Sequence, residues 1–257
     1  MIGRGASDGH AAIVTGVSRG LGAALAGELL GRGFTVVGIG RADNPALDGG
    51  RYRFVEFDLS EPAGVDTALE PVFGELEQQR PGTVCLLNNA ATAGPLGTLG
   101  RPAADEISSA LAVNVAAAVA LANLFCRVFT DPGTTRRIVN VSSGAAQHAI
   151  PGNSVYCIAK AGIEMLTRAL AAEQQGPRFQ AISVRPGVID TDMQTFARSQ
   201  PPELFPSVEL FKGFHRDGQL VAPELVASKI VADLVLGEVE HGSTYGYHEG
   251  GWLHRPS

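Results

Sequence analysis

Ser143, Tyr156 and Lys160 are the residues whose types and spacing could move a proton to or from an oxygen. Ser143 closes an apolar run and precedes Tyr156 by thirteen positions; Lys160 follows Tyr156 by four, one helical turn along the same face. A phenol with its ordinary pKa of about 10 is a poor acid or base at neutral pH. An adjacent ammonium favours the phenolate, so Lys160 is expected to lower the pKa of Tyr156. As an isolated pair, Tyr and Lys at this spacing also suit an ordinary helix surface, so the reading needs support from elsewhere in the chain.

That support lies near the N-terminus, in Thr15-Gly16-Val17-Ser18-Arg19-Gly20-Leu21-Gly22. Glycines at 16, 20 and 22 permit a tight turn, a close approach of backbone to a pyrophosphate and close packing of helix on sheet, while N–H groups at a helix start attract anions. The spacing GxxxGxG departs from the usual GxGxxG, and a plain strand-to-helix turn is the alternative. Where NAD sites of this kind carry an acid at the end of the second strand, this chain has Gly40-Arg41. Arg41 and Arg19 together favour NADP(H), because guanidinium forms forked bonds to phosphate; the alternative is two solvated surface arginines.

These residues must be held by regular elements, and the hydrophobic pattern supplies them. Strand-like apolar runs at 11–16, 34–40, 52–59, 83–90, 136–143 and 179–187 alternate with helical periods at 20–31, 62–79, 105–130, 155–174 and 223–237. Such alternation predicts α/β architecture, a single doubly wound Rossmann domain with a parallel sheet over residues 11–257. Residues 1–10 read as a flexible N-terminal tail, and STYGY (243–247) as a possible edge strand. The helix at 155–174 is apolar around most of its circumference, which suggests burial on two sides, including a subunit contact. Residues 190–218 break the alternation, with Phe196, Phe205, Phe211 and Phe214 among Pro201, Pro202 and Pro206. Lying after a strand's carboxyl end, they read either as an apolar lid or as a helical pair packed on the core.

Composition bounds the partners. The 257 residues are 45% hydrophobic and 18% charged, with 20 Lys and Arg against 26 Asp and Glu and a net charge of -6. That balance opposes broad binding to nucleic acid or to an anionic membrane and favours a small diffusible partner. Three cysteines without a CxxC and six histidines without an HExxH predict neither disulfides nor a metal, and a reducing cytoplasmic setting. His148, between Ser143 and Tyr156, is either a donor to a second substrate carbonyl or a solvated loop residue.

Taken with Asn88-Asn89-Ala90, Asn114 and Pro186-Gly187, the two motifs cease to be commonplace. The chain resembles the short-chain dehydrogenase/reductase family over about residues 11–248. The resemblance implies that Tyr156 is the general acid in carbonyl reduction and that Ser143 holds the substrate oxygen. By the same likeness Lys160 binds the nicotinamide ribose and Asn114 anchors a water in the proton relay. It implies further that Gly16, Ser18, Arg19, Gly20, Leu21 and Gly22 cradle the cofactor phosphates. Asp58 and Leu59 would meet the adenine, Asn89 and Ala90 the adenosine side, and Pro186, Gly187, Val188 and Thr191 the nicotinamide. Where the family has NNAG, this chain has Ala91 in the glycine's place, so a local change with retained cofactor binding is expected. NVSSGAA, PGNSVYCIAKAG and RPGVIDTDMQ are similar to the sepiapterin reductases and, more so, to the bacterial benzil reductases within that family. The implied activity is NADPH-dependent reduction of a ketone, an aromatic 1,2-diketone such as benzil, by a homodimer or homotetramer. An alcohol dehydrogenase, a pterin ketone reductase and an NADP(H) redox sensor without turnover stand as alternatives.

Overall fold

A computed structural model describes residues 7–256. Eight strands form one sheet in the order β3-β2-β1-β4-β5-β6-β7-β8. They are β1 (Ser7–Thr15), β2 (Thr35–Gly40), β3 (Tyr52–Glu56), β4 (Pro81–Asn88), β5 (Thr135–Val141), β6 (Phe179–Arg185), β7 (Thr244–His248) and β8 (Gly251–Arg255). The first seven are parallel and β8 returns antiparallel to β7. A parallel sheet is covered on both faces, so its central strands are apolar throughout rather than alternating. Thus Val36, Val37 and Ile39 of β2 and Val84 to Leu87 of β4 are all buried.

Helices α1 (Gly20–Gly31) and α8 (Pro223–Lys229) cover one face, and α2 (Val65–Gln78), α4 (Ala117–Val128) and α5 (Ser154–Glu173) the other. On α1, Leu21, Leu25 and Leu29 repeat at four-residue spacing and are buried with Val14, Val36 and Ile230. The helix stops where Gly33 takes φ +87, with Phe34 N–H donating to Leu29 O and Gly33 N–H to Leu30 O, a Schellman closure. Opposite, Leu69 and Phe73 of α2 pack with Leu121 and Phe125 of α4 against Ile13 and Leu86.

Two expectations, on the tail and on the edge strand, need correction, and two others are refined. The tail is shorter than 1–10: residues 7–10 already belong to β1, with Ser7 beside Pro81, His10 beside Thr83 and the His10 ring stacked 5.0 Å from Phe34; residues 1–6 lie outside the described residues. The predicted helix 105–130 is α3 (Ala104–Leu111), a π-helical turn at Ala112–Ala116 and α4. By length and apolarity Ala104–Val128 could cross a membrane, yet Leu121, Leu124 and Phe125 within it are core residues. STYGY is not the edge, because β8 pairs outside it from His248 to Thr244. Finally, residues 190–218 contain α6 (Asp192–Arg198) and α7 (Val208–Arg216), and part of this segment is firmly packed. Phe205 is fully buried and its ring meets Phe211 at 5.0 Å.

Candidate active site

Strand order reverses between β1 and β4, and the residues singled out gather at the carboxyl ends of the strands around that point. Thr15 ties the two sides of the opening together: its Oγ1 accepts from the N–H groups of Asn89 at 3.0 Å and Ala90 at 2.9 Å. The Asn89 side-chain amide returns a bond to Thr15 O at 2.9 Å. The turn that follows needs its glycines. Gly16 has φ +76, and a Cβ on Gly22 would lie 2.1 Å from Gly16 O. Among the described residues no side chain caps the start of α1, so its first N–H groups are open to an anion. This cradle fits the pyrophosphate of a dinucleotide.

Ser18 and Arg19 are exposed on the turn, while Leu21 is buried beneath it. Arg41, also exposed, follows the end of β2; hydrogen bonds from the backbone and side chain of Ser60 lower the pKa of Asp58, and the Arg41 charge adds a smaller effect in the same direction. Arg41 and Asp58 thus face the same edge of the opening. Leu59 and Ala90 line a small internal space farther in, together with Thr15, Asn88, Asn114 and Lys160. Arg19 does not stand free: its Nη1 donates to the Asp192 carboxylate at 2.8 Å, joining the glycine turn to the first residue of α6. Ala91 is outside the left-handed region, so the loop needs no glycine there.

At the other end, Ser143 lies two residues beyond β5 and its Oγ accepts from Ala145 N–H at 3.2 Å. Tyr156, partly exposed as a residue, stands in the first turn of α5. Lys160, one turn on, is buried; its Nζ donates to Val141 O at 2.7 Å and lies 5.5 Å from the centre of the Tyr156 ring. Loss of water around the phenol end pushes Tyr156 up to about 12, opposed by the Ser143 hydroxyl, and burial pushes the Lys160 ammonium down to about 8. The expected lowering of the phenol by Lys160 is therefore not found. Loss of hydration disfavours both charged forms. At neutral pH the phenol keeps its proton, which is the form that can donate one.

Asn114 sits inside the π-helical turn, a distortion often found at functional sites. Its amide is locked on both sides to Thr92, accepting from the N–H at 2.7 Å and donating to the carbonyl at 2.9 Å. Pro186 and Gly187 follow β6, with Gly187 at φ +78. Val188 O accepts from Val221 N–H at 2.9 Å, and Thr191 precedes α6 with its methyl against Gly20. The loop after β6 and the glycine turn therefore meet. His148 is exposed, and its carbonyl accepts from the Cys157 thiol at 3.5 Å.

The two readings of residues 190–218 divide between its residues. Phe205 packs into a cluster with Leu96, Ala197 and Val208, and the Ser207 hydroxyl donates to Pro151 O at 2.9 Å. A Cβ on Gly152, which has φ +83, would meet Pro206 at 2.8 Å. This stretch is fastened to the loop that leads into Tyr156. Phe196 on α6, by contrast, is 45% exposed.

The motif reading overlooked one group. Glu164 accepts from Ser142 Oγ at 2.8 Å and from Arg185 at 2.7 Å through each of Nε and Nη2. Its position, four residues after Lys160 and eight after Tyr156, was the available signal for a shared helical face.

A profile of the short chain dehydrogenase family matches residues 10–202. Benzil reductase ((S)-benzoin forming) of Bacillus subtilis (strain 168) is 31% identical over 239 residues, covering 92% of this chain and 98% of the relative. Sepiapterin reductase of Meriones unguiculatus is 30% identical over 255 residues, covering 92% and 95%. Among solved structures, that of the KRED1-Pglu enzyme superposes with a TM-score of 0.79 at 26% identity, covering 91% of this chain and 99% of that one.

Proposed function

The chain belongs to the short-chain dehydrogenase family, oxidoreductases that use a nicotinamide cofactor to interconvert carbinol and carbonyl groups, and from that premise we propose that it is an NADPH-dependent carbonyl reductase acting on an aromatic 1,2-diketone such as benzil. The observation that carries this reading is the Tyr156–Lys160 pair at the start of α5, the Lys160 Nζ 5.5 Å from the centre of the phenol ring and bonded to Val141 O at the end of β5, two residues before Ser143. The cofactor, when bound, supplies the hydride. Ser143 donates its hydroxyl hydrogen to the ketone oxygen and orients the carbonyl, and Tyr156 delivers a proton to that oxygen as charge develops on it. Lys160 keeps one N–H on Val141 O and would offer its others to the ribose hydroxyls of the bound cofactor. Asn114, clamped by Thr92, fixes the backbone of the π-helical turn beside Lys160, where a water can join the proton path.

Selectivity for NADPH follows from Arg41 at the end of β2, with Arg19 leaving Asp192 to share the 2′-phosphate. The benzil reductases among the relatives and the exposed Phe196 of α6 support an aromatic substrate. Val119 on α4 and Ile158 and Met165 on α5 are 44%, 58% and 55% exposed, and the last two lie two turns apart on one face. That apolar surface supports assembly of a homodimer or homotetramer through these helices. The three cysteines are free thiols, which suits a reducing cytoplasm. The test is NADPH oxidation by the purified chain across benzil, a pterin ketone and simple aliphatic ketones. Fastest turnover is expected with benzil; no oxidation with any ketone refutes the reading.

A further inference from the structure

We propose that Glu164 is a positioning residue for the reduction, its one carboxylate holding in register the three segments that carry Ser143, the Tyr156–Lys160 pair and Pro186-Gly187. The inference rests on the carbonyl-reductase reading above. Glu164 stands on α5, on the same face as Tyr156 and Lys160. Oε1 accepts from the hydroxyl of Ser142, the residue immediately before Ser143, at 2.8 Å. Both carboxylate oxygens accept from Arg185, the last residue of β6 and immediate neighbour of Pro186, at 2.7 Å each. The Ser142 hydroxyl also lies 3.4 Å from Lys160 O. One side chain therefore links the end of β5, the middle of α5 and the end of β6, each directly behind a residue assigned to the site.

The group is largely withdrawn from water, the Arg185 and Glu164 side chains being 12% and 13% exposed. A pair so placed is a weak source of stability, since two apolar residues of similar volume often serve as well. What apolar side chains do not reproduce is the fork, two parallel bonds that set both distance and angle between β6 and α5. Ser142 adds a third direction. Loss of the fork lets the Pro186-Gly187 loop and Ser143 drift relative to Tyr156. A misplacement of about 1 Å at a reacting centre can cost about 10²-fold in rate.

The experiment compares Arg185→Met, Arg185→Lys and the apolar double variant Glu164→Leu/Arg185→Met with wild type, using benzil and NADPH. The double variant is expected to melt near wild type and to lose about tenfold to 10²-fold in kcat, while KM for NADPH moves less than about threefold. Arg185→Lys, which keeps the charge and one bond, should recover much of the rate lost in Arg185→Met. A folded double variant with kcat within about twofold of wild type overturns the proposal, since positioning by this group would then contribute nothing. If the double variant does not fold, equal kcat in Arg185→Lys and Arg185→Met overturns it, and recovery by lysine supports it. Absence of wild-type turnover counts against the carbonyl-reductase reading alone. The positioning role is then read from the fluorescence of bound NADPH, which reports the surroundings of the nicotinamide: a changed emission at retained affinity supports the role, and unchanged emission in all three variants overturns it.

Discussion

Replacing Lys160 by Met tests whether a buried ammonium stands at the centre of the site. Lys160 is 3% exposed, and burial moves its pKa from 10.5 to about 8. A depressed lysine is neutral in the folded chain and charged in the unfolded chain between those two values, so the unfolded state binds more protons there and stability rises with pH. Above 10.5 the residue costs nothing; the penalty grows as pH falls and is complete below about 8. At about 1.4 kcal/mol per pKa unit, the displacement corresponds to a penalty on the order of 3 kcal/mol at pH 7. Methionine fills similar space without the charge but loses the bond from Nζ to Val141 O. The informative quantity is therefore the pH dependence of the difference between the two proteins. Urea unfolding of both, without cofactor, at intervals from pH 7 to pH 10 should show wild type gaining on the variant by roughly 2 to 3 kcal/mol. Tyr156 opposes this trend only at higher pH, because its phenol is raised toward 12. A difference that stays constant across the range would refute the buried ammonium. The same titration governs function: NADPH affinity should weaken as pH rises through about 8, with the Tyr156 proton still in place.

Tyr156→Phe should retain NADPH affinity and lose about 10² to 10⁴ in kcat, the usual share of general acid catalysis; a variant keeping more than about a tenth of wild-type kcat removes Tyr156 from that role. Arg41→Asp should narrow or reverse the NADPH preference, because a carboxylate repels a 2′-phosphate and accepts from a free 2′-OH. One charge-assisted bond of about 1.5 to 3 kcal/mol corresponds to roughly ten- to 150-fold in affinity. The readout is kcat/KM for both cofactors in wild type, Arg41→Asp and Arg19→Ala, and an unchanged ratio in both variants refutes the placement. Phe205→Ala should destabilise the chain by about 3 to 5 kcal/mol, since the ring is wholly buried, with similar changes in KM for aromatic and aliphatic ketones; a selective rise for aromatic ketones would instead assign the ring to the substrate site.

The alternating apolar periods carried the architecture, because each strand of a parallel sheet and each covering helix must hide its own surface wherever it lies in the chain. Thr15 to Gly22, and Tyr156 with Lys160, were legible for a related reason: a tight turn and a helical spacing are local geometry, encoded in consecutive residues. The exact limits were less legible. Whether residues 7–10 form strand depends on Pro81 and Thr83 beside them, and whether β7 is an edge depends on a late strand whose residues are mostly exposed. Both are decided by pairing partners distant in sequence.

The state of the site was decided only in three dimensions. The spacing of Tyr156 and Lys160 predicts attraction between their charged forms; in the folded chain desolvation is the largest effect on each, so the phenol rises and the ammonium falls. Residues 190–218 could be read either way because four phenylalanines have the same composition whether they close on a ligand or on the core. Contact with Gly152 and Leu96 buries Phe205 and leaves Phe196 exposed. Arg185 and Glu164, twenty-one residues apart, carry no mark of partnership in their local patterns. Their bond exists because β6 and α5 pack side by side, and hydrogen bonds across such a junction are set by distance and direction in space rather than by order along the chain.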